Sequence, residues 1–318
     1  MLMTVGVFNA LAVVYNLTPA EQQKILNEAD DWIDEMPDGL QDRLSDAINH
    51  AERGFYSELG RFRNLADTSN RNQYQVIVNN FQGGAYSDIP MRIYRPKKMN
   101  KRPMPLLVYY HGGGWSLGNL NTSDKFCRAL ASYGNVLIIS VDYMLAPEKP
   151  YPAGGEQAFN ALSYIFSHAE QWGSRKDLIS IGGDGAGGNI ALYVYSRIPE
   201  TVKLKSMVLY YPLLSADGKT DAQNKRAFGK GYGLDSRLLE SFASAYRGKE
   251  ITTGKILPPT LLIGAGRDII ISDIQDFSRQ NEVTYVEMEG AIHGFITDGH
   301  QKTAFNKAVD ITDMFLTD

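Results

Sequence analysis

LISIGGDGAGGNIALYVYSR, residues 178–197, holds a continuous apolar run, a glycine-rich turn and a helix-forming segment in immediate succession. The turn Gly183-Asp184-Gly185-Ala186-Gly187-Gly188-Asn189 contains G-x-G-x-x-G when read literally, the fingerprint of a dinucleotide site. Context argues against that reading. The run before it is about the fifth strand of the chain rather than the first, and the next strand ends in Tyr210-Tyr211-Pro212 with no acidic residue for a ribose. The better reading is G-x-S-x-G, a strand-to-helix elbow, with glycine at the central position. Such an elbow holds its central residue in a strained backbone conformation that glycine tolerates best. Glycine at 185 therefore keeps the fold while removing a nucleophile.

Outward from this segment, short strands alternate with helices from about residue 73 onward. Strands are predicted at Tyr74–Phe81, Ile89–Arg95, Leu106–Tyr110, Val136–Asp142, Leu178–Gly182, Lys205–Tyr211, Thr260–Gly264 and Val283–Met288. LLVYY, VLIISV, MVLYY and TLLIG are unbroken apolar runs, the pattern of parallel strands covered on both faces. The first two strands alternate more and meet at a Gly83-Gly84 turn, so a hairpin leads into the parallel sheet. Helices are predicted at Asp124–Ser132, Gly155–Trp172, Ala186–Ile198 and Thr303–Leu316. The result is an α/β layered fold.

Upstream, residues 18–65 read as amphipathic and helical. Thr18-Pro19-Ala20-Glu21 supplies an N-cap, a proline at the first helical position and a glutamate at the third. The apolar first fifteen residues lack a basic start and are too short to span a bilayer, so they are expected to form a buried or lid-forming helical segment. Residues 1–68 are taken as an N-terminal helical lid segment and 69–318 as the core. A second lid segment is expected at about 213–257, with one helix near Asp235–Tyr246.

Three segments that could carry chemistry sit at strand ends, where open α/β sheets bind ligands. His111-Gly112-Gly113-Gly114-Trp115 follows a strand; residues without side chains let backbone N–H groups face a ligand and stabilise an oxyanion. The elbow at Gly185 is the second. The third combines Asp268, after TLLIG, with His293, after VTYVEME. The order 185, 268, 293 is that of a nucleophile–acid–histidine triad, in which the carboxylate fixes the imidazole tautomer and the imidazole shuttles the proton. Of the remaining histidines, His50, His168 and His300 are read as solvated or packed, and His111 as ordering the glycine loop. The chain has no H-E-x-x-H, P-loop or Cys/His cluster, so neither a metal nor another cofactor is implied.

With these motifs in view, the chain resembles the hormone-sensitive-lipase-like carboxylesterases of the α/β-hydrolase fold. The resemblance rests on HGGGW at 111–115, DYMLAPEKPYPA at 142–153, GDGAGGN at 183–189, Asp268, and His293-Gly294-Phe295. It covers roughly residues 70–318. It implies a mostly parallel twisted sheet with helices on both faces and a helical lid. It also implies oxyanion donors at Gly112, Gly113 and Ala186, and bracing roles for Asp142 and Glu156. A closing lid would make Trp115, with Asp184, border the substrate pocket; packing of Trp115 in the core is the alternative reading. In that family the elbow reads G-D-S-A-G-G-N, so Gly185 stands where the nucleophilic serine belongs. The stretch between Asp268 and the last strand is short for the family, with room for only a brief helix.

The expected activity is hydrolysis of short-chain acyl esters through a Ser-Asp-His acyl-enzyme, with this chain inactive or nearly so because of Gly185. Two alternatives stand beside it: a non-catalytic small-molecule binder on the same fold, and a water activated directly by His293. Composition agrees with an ordinary globular chain, with 318 residues, 43% of them apolar and 21% charged. The 32 basic and 36 acidic residues give a net charge of −4 without a basic block, against nucleic-acid binding. The single cysteine, Cys127, excludes an internal disulfide and fits a cytoplasmic location. The expected partner is a small-molecule ester, with no membrane span; a homodimer is left open.

Overall fold

A computed structural model of the chain describes residues 17–63, 73–84, 88–99, 103–249 and 254–318. The segment expected over residues 1–15 lies outside these, as does the end of the 1–68 segment. All eight expected strands form, as β1 (Val76–Gly83), β2 (Ile89–Pro96), β3 (Leu106–Tyr110), β4 (Leu137–Val141), β5 (Ile179–Asp184), β6 (Met207–Tyr210), β7 (Thr260–Arg267) and β8 (Thr284–Ile292). They make one sheet in the order β1-β2-β4-β3-β5-β6-β7-β8. β1 and β2 are antiparallel to each other, and β2 is antiparallel to β4. Every later pairing is parallel. β3, β4, β5 and β6 are buried at every residue. An uninterrupted apolar run is stable only where helices cover both faces, and this is what LLVYY and MVLY encode.

The covering helices are α4 (Asp124–Ser132), α5 (Ala153–His168), α6 (Ala186–Arg197), α9 (Ile271–Gln280) and α11 (Lys302–Thr317), with a short α10 (Phe295–Asp298) before the last. α5 packs on α6, and α4 on α11. α5 starts two residues earlier than its pattern suggests and ends at His168, its expected last turn being a 3₁₀ helix at Ala169–Trp172. The short stretch after Asp268 accommodates the ten-residue α9.

The N-terminal helical stretch is three helices, α1 (Pro19–Glu35), α2 (Leu40–Glu52) and α3 (Ser57–Arg63). Thr18 caps α1 as expected: Glu21 N–H donates to Thr18 Oγ1, and Glu21 Oε2 accepts the Thr18 N–H at 2.7 Å. The segment 213–257 holds two helices where one was expected, α7 (Ala222–Phe228) and α8 (Ser236–Tyr246). α2 lies along α8. Among the described residues no helix is long and apolar enough to cross a membrane.

Strand register aligns the chemistry. Tyr110 pairs with Gly183, Asp184 with Tyr210, Tyr210 with Ile263, and Arg267 with Ile292. Because these strands run in parallel, the loops at 111–115, 185, 211–213, 268 and 293 all emerge at one edge of the sheet.

Candidate active site

Gly185 sits between β5 and α6 with φ 52° and ψ −117°. An L side chain rarely adopts such a conformation, so the turn is strained for any residue with a Cβ. A Cβ built there would point at His293, 3.4 Å from Nε2 and 3.8 Å from Cε1, and apart from its chain neighbours would meet no other described residue within 4 Å. His293 Nδ1 is 2.7 Å from Asp268 Oδ2. Asp268 is fully buried, and its other oxygen accepts the Ile270 N–H at 3.2 Å. A buried carboxylate on Nδ1 directs the imidazole's lone pair to Nε2, the atom that faces Gly185. The three positions expected to form a triad therefore converge.

The glycine loop approaches the same point. His111 is buried, stacks on Tyr143 with ring centroids 4.5 Å apart, and donates from Nδ1 to the Gly112 carbonyl at 2.7 Å. Burial lowers its pKa to about 4, so it is a neutral ring that orders the loop, as expected. The expected donor role of Gly112 is overturned. Its N–H is already committed to Asp184 Oδ1 at 3.0 Å. Among the described residues the N–H groups of Gly113, Gly114 and Ala186 carry no such commitment. Gly114 is a position the sequence reading passed over. A Cβ there would lie 2.1 Å from the Phe242 ring of α8, so only glycine lets α8 close on the loop.

Of the two expected pocket residues, Asp184 borders the cavity and Trp115 does not. Trp115 is 1% exposed and does not border the cavity. It stacks on Tyr246 at 4.3 Å and donates to Asn189 Oδ1 at 3.2 Å, because a large ring directly after the glycines finds its partner in α8 rather than in the cavity. Asp184 does border the cavity, but its carboxylate is 3% exposed and accepts from Tyr109 OH at 2.7 Å and from Gly112 N–H. Burial raises its pKa, against the lowering effect of these donors.

Asp142 lies 3.8 Å from His111 Nε2, behind the loop, and Glu156 accepts from Tyr193 OH on α6; both are outside the cavity. His50 and His300 lie at the surface, beside Glu58 and Glu35. His168 stacks on Tyr164.

The cavity itself measures about 330 Å³. Leu40, Leu44, Phe62, Leu213, Leu234, Leu238 and Phe242 supply apolar walls, and Gly112–Gly114, Gly185 and His293 form its floor. Tyr211, which the sequence reading did not single out, follows β6 with φ 32° and sets its ring 4.9 Å from that of His293. Arg63 lines the rim, yet its guanidinium is consumed by Glu148 and by the carbonyls of Ser116 and Ala146. The site offers a base, uncommitted amide donors and apolar walls, and among the described residues that line it there is no unpaired cation for an anionic ligand.

Comparison with known proteins gives a consistent result. Residues 107–297 match a family described as alpha/beta hydrolase fold. Carboxylesterase NlhH of Mycobacterium tuberculosis is 38% identical over 182 residues, 56% of this chain and 56% of that protein. Carboxylic ester hydrolase LipN of the same organism is 35% identical over 51% of this chain and 44% of its own length. The chain thus spans about half the length of these two relatives. An acetyl esterase of Salmonella paratyphi B is 27% identical over 85% of this chain and 87% of its own. The crystal structure of a hyperthermophilic esterase from Pyrobaculum calidifontis superposes with a TM-score of 0.70 at 25% identity, covering 95% of this chain and 98% of that one.

Proposed function

Because the chain belongs to the α/β-hydrolase fold family, we propose that its site is that of a carboxylic ester hydrolase for neutral, short-chain acyl esters, with Gly185 in the place of the nucleophilic serine. The observation that carries this reading is the 3.4 Å separation between a Cβ at Gly185 and His293 Nε2, with Asp268 2.7 Å behind the ring. A serine there would bring its hydroxyl into hydrogen-bond reach of the base.

With serine present, Nε2 takes the hydroxyl proton as Oγ attacks the ester carbonyl. The developing oxyanion is held by the amides of Gly113, Gly114 and Ala186, each worth roughly 3–4 kcal/mol in a water-poor site. Ala186 opens α6, and the helix dipole adds to that field. The protonated imidazole then gives its proton to the departing alkoxide, and water repeats the cycle on the acyl-enzyme. Without the serine hydroxyl this route is closed, at a cost on the order of 10⁶ in turnover.

Helices α1–α3 and the segment 213–257 act as a two-part lid. Leu40, Leu44 and Phe62 from the first and Leu234, Leu238 and Phe242 from the second supply the acyl-binding walls. Apolar walls and the spent Arg63 favour an uncharged substrate, and a 330 Å³ cavity suits a small one.

The test is Gly185→Ser assayed on 4-nitrophenyl acetate and butyrate. Hydrolysis with a pre-steady-state burst of nitrophenol is the expected result. A folded Gly185→Ser protein that is silent across acyl lengths yet binds such esters saturably would instead identify a non-catalytic binder.

A further inference from the structure

Among the described residues, no side-chain hydroxyl hydrogen-bonds to the base at the centre of the site. Three hydroxyl side chains border the cavity, and each has another partner. Thr122 Oγ1 accepts the Asn119 N–H at 2.9 Å, Thr297 Oγ1 donates to the Gly294 carbonyl at 2.8 Å, and Tyr211 OH accepts the Ile296 N–H at 3.4 Å. Among the described residues none of them hydrogen-bonds to Nε2 of His293. The Asp268 carboxylate still orients that ring, and the His293 side chain is 14% exposed, so the base reaches the cavity. Beside it, the face of Gly185 is open: apart from the chain neighbours, the imidazole is the one described group that a methyl-sized group there would meet within 4 Å. A protein-borne base, uncommitted amide donors and room for a small molecule between them are the parts of an acyl transfer that needs no covalent enzyme intermediate.

We infer that the chain transfers acyl groups directly from activated neutral esters to a small hydroxylic acceptor, water or a short primary alcohol, bound beside Gly185 and deprotonated by His293. This rests on the hydrolase reading of the site. The acceptor oxygen forms a bond to the ester carbonyl carbon as its proton passes to Nε2. The carbonyl electron pair moves onto oxygen, where the Gly113, Gly114 and Ala186 amides hold it. Collapse re-forms the carbonyl, breaks the bond to the leaving alkoxide, and returns the Nε2 proton to that alkoxide. Ester plus water gives acid plus alcohol; ester plus methanol gives methyl ester plus alcohol. His293 ends as it began.

The tethered hydroxyl of a serine has a high effective concentration that a free acceptor lacks. Direct transfer is therefore slow and selects esters whose leaving group departs easily, such as nitrophenyl esters, over alkyl esters. The oxyanion donors and the base still give a rate about 10³-fold above buffer. An unattached oxygen also keeps van der Waals distance from the Gly185 Cα, so a larger residue at 185 that lacks a hydroxyl removes the acceptor's place.

The experiment compares the chain with Gly185→Val, His293→Ala, Asp268→Asn and Gly185→Ser on 4-nitrophenyl acetate, with and without added methanol. Melting curves establish that each variant is folded. The unaltered chain is expected to release nitrophenol linearly with no burst. It should form methyl acetate in proportion to methanol and remain unlabelled by a fluorophosphonate probe. Gly185→Val and His293→Ala are each expected to lower the rate by about 100-fold. A buffer-level rate, or a rate unchanged by His293→Ala, beside an active Gly185→Ser protein overturns direct transfer and leaves the esterase reading standing. Silence of both the unaltered chain and a folded Gly185→Ser protein overturns the esterase reading, and direct transfer with it.

Discussion

Asp184 Oδ1 accepts from Tyr109 OH and from Gly112 N–H, and so fixes which glycine amides remain for a ligand. Asp184→Ala would strand a buried hydroxyl and a buried amide, at a cost of about 3 kcal/mol. Asp184→Asn keeps an acceptor at Oδ1 and is expected to cost about 1 kcal/mol. Urea unfolding of the two variants measures the difference; equal losses would mean that the hydrogen bonds are not what the residue contributes. The same bond explains a limit of the sequence. HGGG announces amide donors near an anion, but three consecutive glycines are alike on paper. Which of them is spent depends on a carboxylate at the far end of β5, a contact that no local pattern encodes. For Trp115 the sequence leaves pocket and core packing both open for a related reason: the partner that decides for the core, Tyr246, lies in α8, more than a hundred residues on. The elbow, Asp268 and His293 were legible because each is read from its own strand end.

The elements divide in the same way. LLVYY and DKFCRALAS gave β3 and α4 with the bounds expected, since a long apolar run or an apolar stripe is a strong local signal. α7 was missed because AQNKRAF has no stripe. It is started instead by Asp221, whose carboxylate accepts from Gln223 N–H at 2.8 Å and Asn224 N–H at 3.2 Å. The helical region expected over residues 18–65 is divided at Pro37-Asp38-Gly39, where Gly39 takes φ 64°. α3 shows what holds such short elements in place. Arg63, its last residue, donates to the Ser116 and Ala146 carbonyls at 2.8 Å each and pairs with Glu148 at 2.6 Å, while Asn119 Nδ2 donates back to the Arg63 carbonyl. Glu148 is partly exposed, so Glu148→Gln should cost no more than about 1 kcal/mol. Arg63→Ala leaves two part-buried carbonyls without a donor and should loosen α3 by about 2–3 kcal/mol. Hydrogen exchange reads this directly: faster exchange across residues 57–63 with β3–β7 unchanged is the expected pattern, and uniform loss of protection would contradict it.

Across the whole molecule, burial beneath the candidate site favours neutral groups, and two of them respond to acid with opposite sign. Burial lowers the pKa of His111 from 6.5 to about 4. The unfolded chain takes up that proton first, so the stability it contributes is present above pH 6.5 and is lost as pH falls toward 4, by about 3 kcal/mol in all. Burial raises the pKa of Asp142, 3.8 Å away, from 3.8 to about 6, with Arg92 opposing the rise. Here the folded chain takes up the proton first. The ionised carboxylate weakens the fold above pH 6, and that penalty disappears as pH falls from 6 to 3.8. Acidification thus removes a stabilising contribution at His111 while relieving a destabilising one at Asp142, and the two partly cancel. Asp142→Asn breaks the cancellation. The variant should be more stable than the parent by about 1 kcal/mol near pH 8, a figure already reduced for the partial exposure of the carboxylate. The gain should shrink through pH 6 and vanish near pH 4, leaving the variant with the steeper acid loss that His111 alone imposes. Urea unfolding of both proteins across this range gives the difference curve. A difference that stays constant with pH would mean that Asp142 is ionised in the folded chain throughout, and that its charge is solvated rather than held against the glycine loop at 111–115.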